Sequence, residues 1–531
     1  RGRAASCRAP RCGAATLVLR TPSMGFDDLP PPAAHATRRL ILVSNRLPVV
    51  FQRNEHTGEL TARPGAGGLI TALMPVLRNR GGIWIGWTGC DATEPELAAA
   101  TQLASDEAGY RMLGVSLTQA QVRDFYLGFS NRIIWPLFHD LQSLCDFDPA
   151  YWRTYREVNR KYAHCIAEVA DPQDLLWVHD YHLMNVAADL RALGAAMRIA
   201  FFLHIPFPPL DLFVKLPWRM SVLHALLQYD VVGFQTMRDR RNFTDCVRAL
   251  VPHMVWRGRG NLVEAVDSQR TVRIGSFPIS IDYNHFEREA ASPEVAARTD
   301  ELHRLLPDRK LILGVDRLDY TKGIPHRLKA FRDALRRFPE MRDRLSLIQV
   351  VVPSREDITE YQNLKLEIEH LVGEINGEFS KPGGWVPVWY VYASLTRNDL
   401  LAYYRAAHIA LVTPLKDGMN LVAKEYCASS IEEDCVLILS EFAGAAAQMH
   451  RGAILVNPYD IEGVGEAIHR AWDMPAAECR ARMRRLRRGV REHDVYGWLD
   501  QFLNAAFAQH LRDYPPLPAE LIPPQSDYLP I

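Results

Sequence analysis

Two stretches of the chain hold most of the residues suited to anion chemistry. Gly314-Val315-Asp316-Arg317-Leu318-Asp319-Tyr320-Thr321-Lys322-Gly323 sets two cations, Arg317 and Lys322, in a glycine-bracketed turn after an apolar run. Asp417-Gly418-Met419-Asn420-Leu421-Val422-Ala423-Lys424-Glu425 sets an acid and a glycine at the opening of a helical pattern, again after an apolar run. Arginine offers phosphate a planar fork and lysine a compact point charge. Free N–H groups at a helix start attract the same anions, and carboxylates such as Asp417 and Glu425 hold sugar hydroxyls. Asp417 can equally be an ordinary N-cap, and Lys424 reads as part of a solvated helix face. Two strand-to-helix turns of one parallel sheet open on a common crevice, so the stretches are expected to meet and bind a sugar diphosphate.

Further candidates end other apolar runs. His179-Asp180-Tyr181-His182 offers Asp180 as a base or hydroxyl acceptor; its two histidines lack a third metal ligand at a recognisable spacing. His204 ends the next run, in Leu203-His204-Ile205-Pro206-Phe207-Pro208, and reads either as structural or as facing the same crevice. Arg46 ends the first run in Ser44-Asn45-Arg46, and Gly67-Gly68 lets a ligand approach the backbone before the next helical pattern. Arg355 adds a cation after residues 347–352, so that Arg46 and Arg355, from different halves, can grip one phosphate. Tyr126 and Trp135 fit a core better than a sugar-stacking wall on pattern alone.

Positioning such groups takes parallel strands. Strand-like runs fall at 40–44, 83–86, 175–179, 198–203, 230–234 and 272–277, then at 311–315, 347–352, 386–391, 408–413, 436–440 and 453–456. Helical patterns lie between them, including 69–80, 151–169, 238–250 and 324–338; the last carries the stripe Ile324, Leu328, Phe331, Leu335. Continuous apolar strands alternating with amphipathic helices predict parallel sheets covered on both faces. There are too many strands for one sheet of usual size, so the expectation is α/β with two doubly wound Rossmann-like domains facing a cleft, broken between residues 278 and 292.

Bulk properties fit an ordinary soluble chain: 531 residues, 48% apolar, 23% charged, with 62 basic and 62 acidic side chains. A net charge of zero supplies no overall field for nucleic acid or an anionic membrane. No apolar run reaches the roughly 18 residues of a membrane span. The nine cysteines are scattered without metal-ligand spacing, which points to a reducing cytoplasm. Residues 1–20 are rich in Arg and Ala and lack acids, the composition of a transit peptide or of a start upstream of Met24. Disorder is expected over residues 1–37, and an irregular tail from Pro515, where six prolines fall among the last residues.

The ordered set of motifs resembles the trehalose-6-phosphate synthases, retaining glycosyltransferases of the GT-B fold. The likeness runs from about Arg38 to Asp460 and more loosely to His510. It rests on Ser44-Asn45-Arg46, Gly67-Gly68-Leu69, Trp84-Ile85-Gly86-Trp87, Phe129-Ser130-Asn131, Trp135-Pro136, His179-Asp180-Tyr181-His182, the His204 motif, Asp316-Arg317-Leu318-Asp319-Tyr320 and the segment from Asp417 to Glu425. The resemblance implies transfer of glucose from UDP-glucose to glucose 6-phosphate, without a protein nucleophile, a cofactor or a required metal. It implies Arg317 and Lys322 on the diphosphate and His204 near the donor glucose. The donor site is expected to take Gly67, Gly68, Leu395, Asp417, Gly418, Met419, Asn420, Leu421, Val422 and Glu425, and the acceptor site Arg46, Tyr126, Trp135, Asp180 and Arg355. Catalytic duty falls to Arg317, Lys322, Asp180 and His204.

The expected division is an extension at 1–37, an acceptor-side domain at 38–282, a nucleotide-sugar domain at 283–490, a helix at 491–512 returning to the first domain, and a tail at 513–531. A homodimer or tetramer fits this reading. Leu395 stands where some relatives have an aromatic, and residues 51–63 lengthen the first loop. No Asp-x-Asp-Gly-Thr phosphatase motif follows, so the product should leave as the phosphate. Alternatives are another phosphorylated acceptor such as glycerol 3-phosphate, another nucleotide-glucose, a non-catalytic sugar-phosphate sensor, or a pyridoxal-phosphate phosphorylase, for which no cofactor-lysine motif is present.

Overall fold

The apolar runs form parallel strands whose helices cover both faces. The computed structural model describes residues 39–507, apart from 54–59, 66–69, 71–72, 75–76, 78–81, 91–93, 269, 356–357 and 382. The first half contributes β1 (Leu40–Arg46), β2 (Val49–Arg53), β3 (Leu60–Pro64), β4 (Gly82–Trp87), β5 (Arg111–Val115), β6 (Leu175–His179), β7 (Arg198–Phe202), β8 (Val231–Phe234), β9 (Val255–Arg257), β10 (Leu262–Val266) and β11 (Thr271–Ser276). The second contributes β12 (Lys310–Arg317), β13 (Leu345–Val352), β14 (Val388–Tyr392), β15 (Ile409–Val412), β16 (Val436–Ser440) and β17 (Ile454–Val456).

A nine-stranded sheet runs β5-β4-β1-β6-β7-β8-β11-β10-β9 and a six-stranded sheet runs β14-β13-β12-β15-β16-β17. The second is parallel throughout and has the 3-2-1-4-5-6 order of a dinucleotide-binding sheet. The first is parallel from β5 to β11 and ends in the antiparallel pairs β11–β10 and β10–β9. In each sheet the chain winds to one side and then to the other, leaving a switch point between β1 and β6 and between β12 and β15.

The helix Ile324–Arg337 buries its predicted stripe against β12 and β13 neighbours such as Ile312 and Leu347. The final helix, Val495–Phe507, packs on the first sheet: Phe502 stacks on Trp177 at 4.3 Å, and Trp498 Nε1 donates to Phe277 O at 3.1 Å. Between them, Arg487 of the helix Ala476–Glu492 donates to Cys427 O, Ala428 O and Ser430 O, closing the carbonyl end of the helix Leu421–Ser429.

Two expectations change. Residues 51–53 and 60–63, read as part of a longer loop, are strand, with β2 paired antiparallel to β3 from Val49↔Pro64 to Arg53↔Leu60. The edge strands β5 and β9, and β10 in the antiparallel end of the sheet, carried no continuous apolar run, because such strands need only one covered face. Most of the helical pattern at 69–80 lies outside the described residues.

Candidate functional site

Behind the cations lies a buried ion pair. Asp316, at the end of β12, accepts from Arg327 Nη1 at 2.5 Å; Arg327 also donates to Gln349 Oε1 at 3.1 Å and, through Nε, to Thr413 Oγ1 at 3.1 Å. Arg327 is 1% exposed and joins the ends of β12, β13 and β15. Removing one member would strand a buried charge. Ahead of this pair the chain turns. Asp319 Oδ1 accepts from the Thr321 N–H at 3.0 Å, and Gly323 adopts φ +65°, with Thr413 O where a side chain would begin.

The two turns meet. The Leu415 N–H donates to Thr321 O at 2.8 Å, and Lys322 Nζ bonds Asp417 Oδ2 at 2.6 Å. Lys322 leads the groups that hold the Asp417 carboxyl below its usual pKa despite burial. Asp417 is not the helix cap. Asn420, at φ +74°, caps the helix Leu421–Ser429 by accepting from the Ala423 N–H at 3.2 Å and also bonds Asp417 at 3.2 Å. The capping residue thus falls three positions later, leaving Asp417 to its cation. Met419 is buried, while Leu421, Val422 and Leu395 are partly buried against the apolar core. Glu425 accepts from Tyr404 Oη at 2.9 Å, and burial raises its pKa.

Lys424 is a further correction. It is 1% exposed and donates to Ile279 O and Gln448 Oε1, each at 2.7 Å. Its helix is enclosed nearly all round, so no solvated face exists. Arg317, by contrast, stands exposed at the end of β12 with no ion pair among the described residues.

The opposite wall comes from the first sheet. Residues Val122–Ile134 form a wide π-helix, in which the Trp135 N–H reaches back to Ser130 O; such segments recur at functional sites. It carries Tyr126, whose ring lies beneath Arg46 Cζ at 5.5 Å and stacks on His182 at 5.8 Å. Arg46 also lies 4.7 Å over Trp87. From the second sheet Arg355, at φ +51°, crosses over: its Cζ sits 4.4 Å above Trp135, and it donates to Tyr361 Oη at 2.6 Å and Tyr181 Oη at 3.4 Å. Burial raises the Tyr126 phenol pKa, but the charges of Arg355 and Arg46 outweigh it and leave the phenol below its usual value. The expected pair of arginines therefore flanks one phenol, with Trp135 acting as a platform for Arg355.

Asp180 follows β6 at φ +74°, a strained conformation of the kind that collects at working sites. Its Oδ1 accepts from the His204 N–H at 3.2 Å, and burial raises its pKa to about 6. His204 Nε2 lies 3.1 Å from His179 Nδ1, and burial lowers the His204 pKa to about 3, so the ring is neutral near pH 7.

The two walls touch at Gly418, where a Cβ would stand 2.1 Å from His204 O. Lys416 also pairs with Asp140 across the gap. His139 is kept neutral near Asp417, its pKa lowered to about 4 by burial.

Gly67 and Gly68 lie outside the described residues. Sequence reasoning missed Arg327, His139, Tyr181, Tyr361 and Tyr404. Arg327 alone left a signal, a charge three residues after Ile324 on the buried stripe. Among the described residues no group of three or more His, Cys, Asp or Glu is placed to hold a metal, and no helix is long and apolar enough to cross a membrane.

Two doubly wound sheets with facing switch points, one lined by cations and acids and the other by arginine and aromatic rings, define a two-domain sugar-nucleotide transferase fold. The model of Glycosyltransferase family 20 matches residues 38–507, and the chain belongs to that family. It is 42% identical over 470 residues to the trehalose-6-phosphate synthase of Mycobacterium ulcerans, covering 88% of this chain and 93% of the relative. A Burkholderia xenovorans alpha,alpha-trehalose-phosphate synthase (UDP-forming) in complex with glucose-6-phosphate superposes with TM-score 0.78 at 35% identity, covering 88% of this chain and 99% of that one. The E. coli trehalose-6-phosphate structure bound with UDP-2-fluoro glucose gives 0.79 at 33% identity, covering 88% and 98%.

Proposed function

We propose that the chain transfers glucose from UDP-glucose to glucose 6-phosphate with retention of configuration, releasing α,α-trehalose 6-phosphate and UDP. The observation that carries this reading is the meeting of the Lys322–Asp417 pair with exposed Arg317 at one switch point, opposite Arg46, Tyr126 and Arg355 at the other. In this reading residues 38–282 hold the acceptor, residues 283–490 hold the donor, and the helix from 491 returns to the first domain.

As the bond from the glucose anomeric carbon to the diphosphate oxygen breaks, negative charge collects on UDP. Arg317 and Lys322 stabilise it, a fixed electrostatic contribution that grows along the reaction. The acceptor hydroxyl attacks from the departing phosphate's own face and gives that phosphate its proton, so no protein nucleophile is needed. Asp417 and Glu425 hold hydroxyls of the glucose and the ribose. Arg46 and Arg355 hold the acceptor phosphate beside Tyr126, and Asp180 accepts from an acceptor hydroxyl. Neutral His204 lines the glucose as a polar wall.

The test is initial-rate UDP release by purified protein with a panel of nucleotide-glucoses and phosphorylated acceptors, with the product's anomeric configuration read by NMR. The expected result is turnover with UDP-glucose and glucose 6-phosphate and an α,α product. Turnover with another acceptor and none with glucose 6-phosphate would overturn the reading.

Asp180 also predicts a pH dependence. With its pKa raised to about 6 by burial, the acceptor form is lost as pH falls through that value, so kcat should decline on the acid side. A sugar phosphate titrates nearby, with a second pKa of about 6. Its effect enters through acceptor binding, whereas kcat at saturation reports the bound complex. Asp180→Asn should therefore flatten the acid limb of kcat and leave in kcat/KM only the limb of the sugar phosphate; an unchanged kcat profile removes Asp180 from this role.

A further inference from the structure

Lys424 holds Ile279 O in the connection between the sheets. It lines a cavity of about 500 Å³ between the helices Ala446–Met449 and Ala476–Glu492. Gln448 lies beside it, and Arg451, Arg485 and Arg488 form an exposed rim with Glu492 as the one acid in the lining. Apart from Lys424, none of the lining residues belongs to the two stretches that form the donor side of the cleft.

An ammonium group has three donors. Two of them go to neutral oxygens, Ile279 O and Gln448 Oε1, and no carboxylate pairs with Lys424 among the described residues. Burial without a countercharge lowers its pKa to about 7. A charge enclosed in this way is normally paired. Arg451 and Arg488 likewise carry no ion pair among the described residues, and Arg485 donates to Arg451 O at 2.8 Å. A lysine floor with one donor left and a rim of forked guanidinium groups suits a phosphate group. The volume exceeds that of a bare phosphate and admits a small organic body.

We propose that this cavity is a second anion site, taking a small phosphorylated molecule and distinct from the donor and acceptor sites. The phosphate meets the third Lys424 donor and the rim arginines. Because Lys424 precedes Glu425 and holds the carbonyl of Ile279, occupancy bears directly on the helix that carries the donor-site acid.

Calorimetric titration with inorganic phosphate tests the site, in the presence of saturating UDP. The wild type should take up phosphate, and glycerol 2-phosphate should displace it. The variant R451Q/R485Q/R488Q should bind at least about tenfold more weakly, a loss of about 1.4 kcal/mol, with transferase activity in phosphate-free buffer unchanged. The rim lies outside the cleft, so the difference between the two proteins reports the cavity whatever the cleft binds. Should the triple variant misfold by circular dichroism, R488E, a single exposed change, carries the same expectation. Absence of phosphate uptake by the wild type, or equal affinity in the variant, would overturn the site; failure of glycerol 2-phosphate to compete would overturn its organic ligand.

Discussion

Replacing Arg317 with alanine is expected to lower kcat by about a thousandfold, the upper range for losing one group aimed at developing charge, with the fold unaffected. Arg317 is exposed at the end of β12 and has no ion pair among the described residues. A surface change of that kind shifts stability by about 0.5 kcal/mol or less. The loss should fall on kcat more than on KM for UDP-glucose, because the charge met by the guanidinium is larger in the transition state than in the bound donor. Lys322→Ala makes the informative contrast. Its removal leaves the mostly buried Asp417 without its cation, and breaking such a pair costs up to about 3 kcal/mol. That variant should lose both turnover and melting temperature, whereas Arg317→Ala should lose turnover alone. Near-normal turnover by Arg317→Ala would refute its assigned duty.

The parts of the site legible in the sequence are those that topology enforces. β6 and β16 occupy residues 175–179 and 436–440, the limits read from apolar runs, since a strand covered on both faces is apolar throughout. Two such strands on either side of a switch point bring their following turns together, which is why Lys322 and Asp417 could be paired across 95 positions. Lys424 was misread for a reason also present in the chain: apart from Lys424 and Glu425, its helix is uncharged, which marks an enclosed helix rather than an amphipathic one. Tyr181, Tyr361 and Tyr404 were illegible. Each acts through a hydroxyl reaching a group on another element, Arg355 or Glu425, and no local period records such a contact. The left-handed conformations of Asp180, Arg355 and Asn420 were equally hidden, because strain at a non-glycine residue is fixed by tertiary contacts.

Gly418→Ala should cost about a hundredfold in kcat without touching a charge. The sequence offered Gly418 as a donor-site residue at the opening of a helical pattern. In the structure its distinctive feature is contact between the two walls. A Cβ there would stand 2.1 Å from His204 O and 3.1 Å from Ile205 Cα, both backbone atoms of the opposite sheet's loop. The segment cannot retreat freely, because the Gly444 N–H bonds Asp417 O at 3.1 Å and the Ala445 N–H bonds Met419 O at 2.7 Å on its other side. Relief therefore requires the walls to part by about 1 Å, and a misplacement of that size costs roughly a hundredfold. Because the strain falls between the lobes, each lobe should keep its own packing, with a stability loss of about 1–3 kcal/mol. Small-angle scattering should report a more open particle in the presence of UDP and glucose 6-phosphate, alongside the lower kcat. Full activity with an unchanged scattering profile would mean that the walls do not close to this contact during turnover. The cations would then meet the acceptor across a wider gap than the geometry of Gly418 and His204 defines.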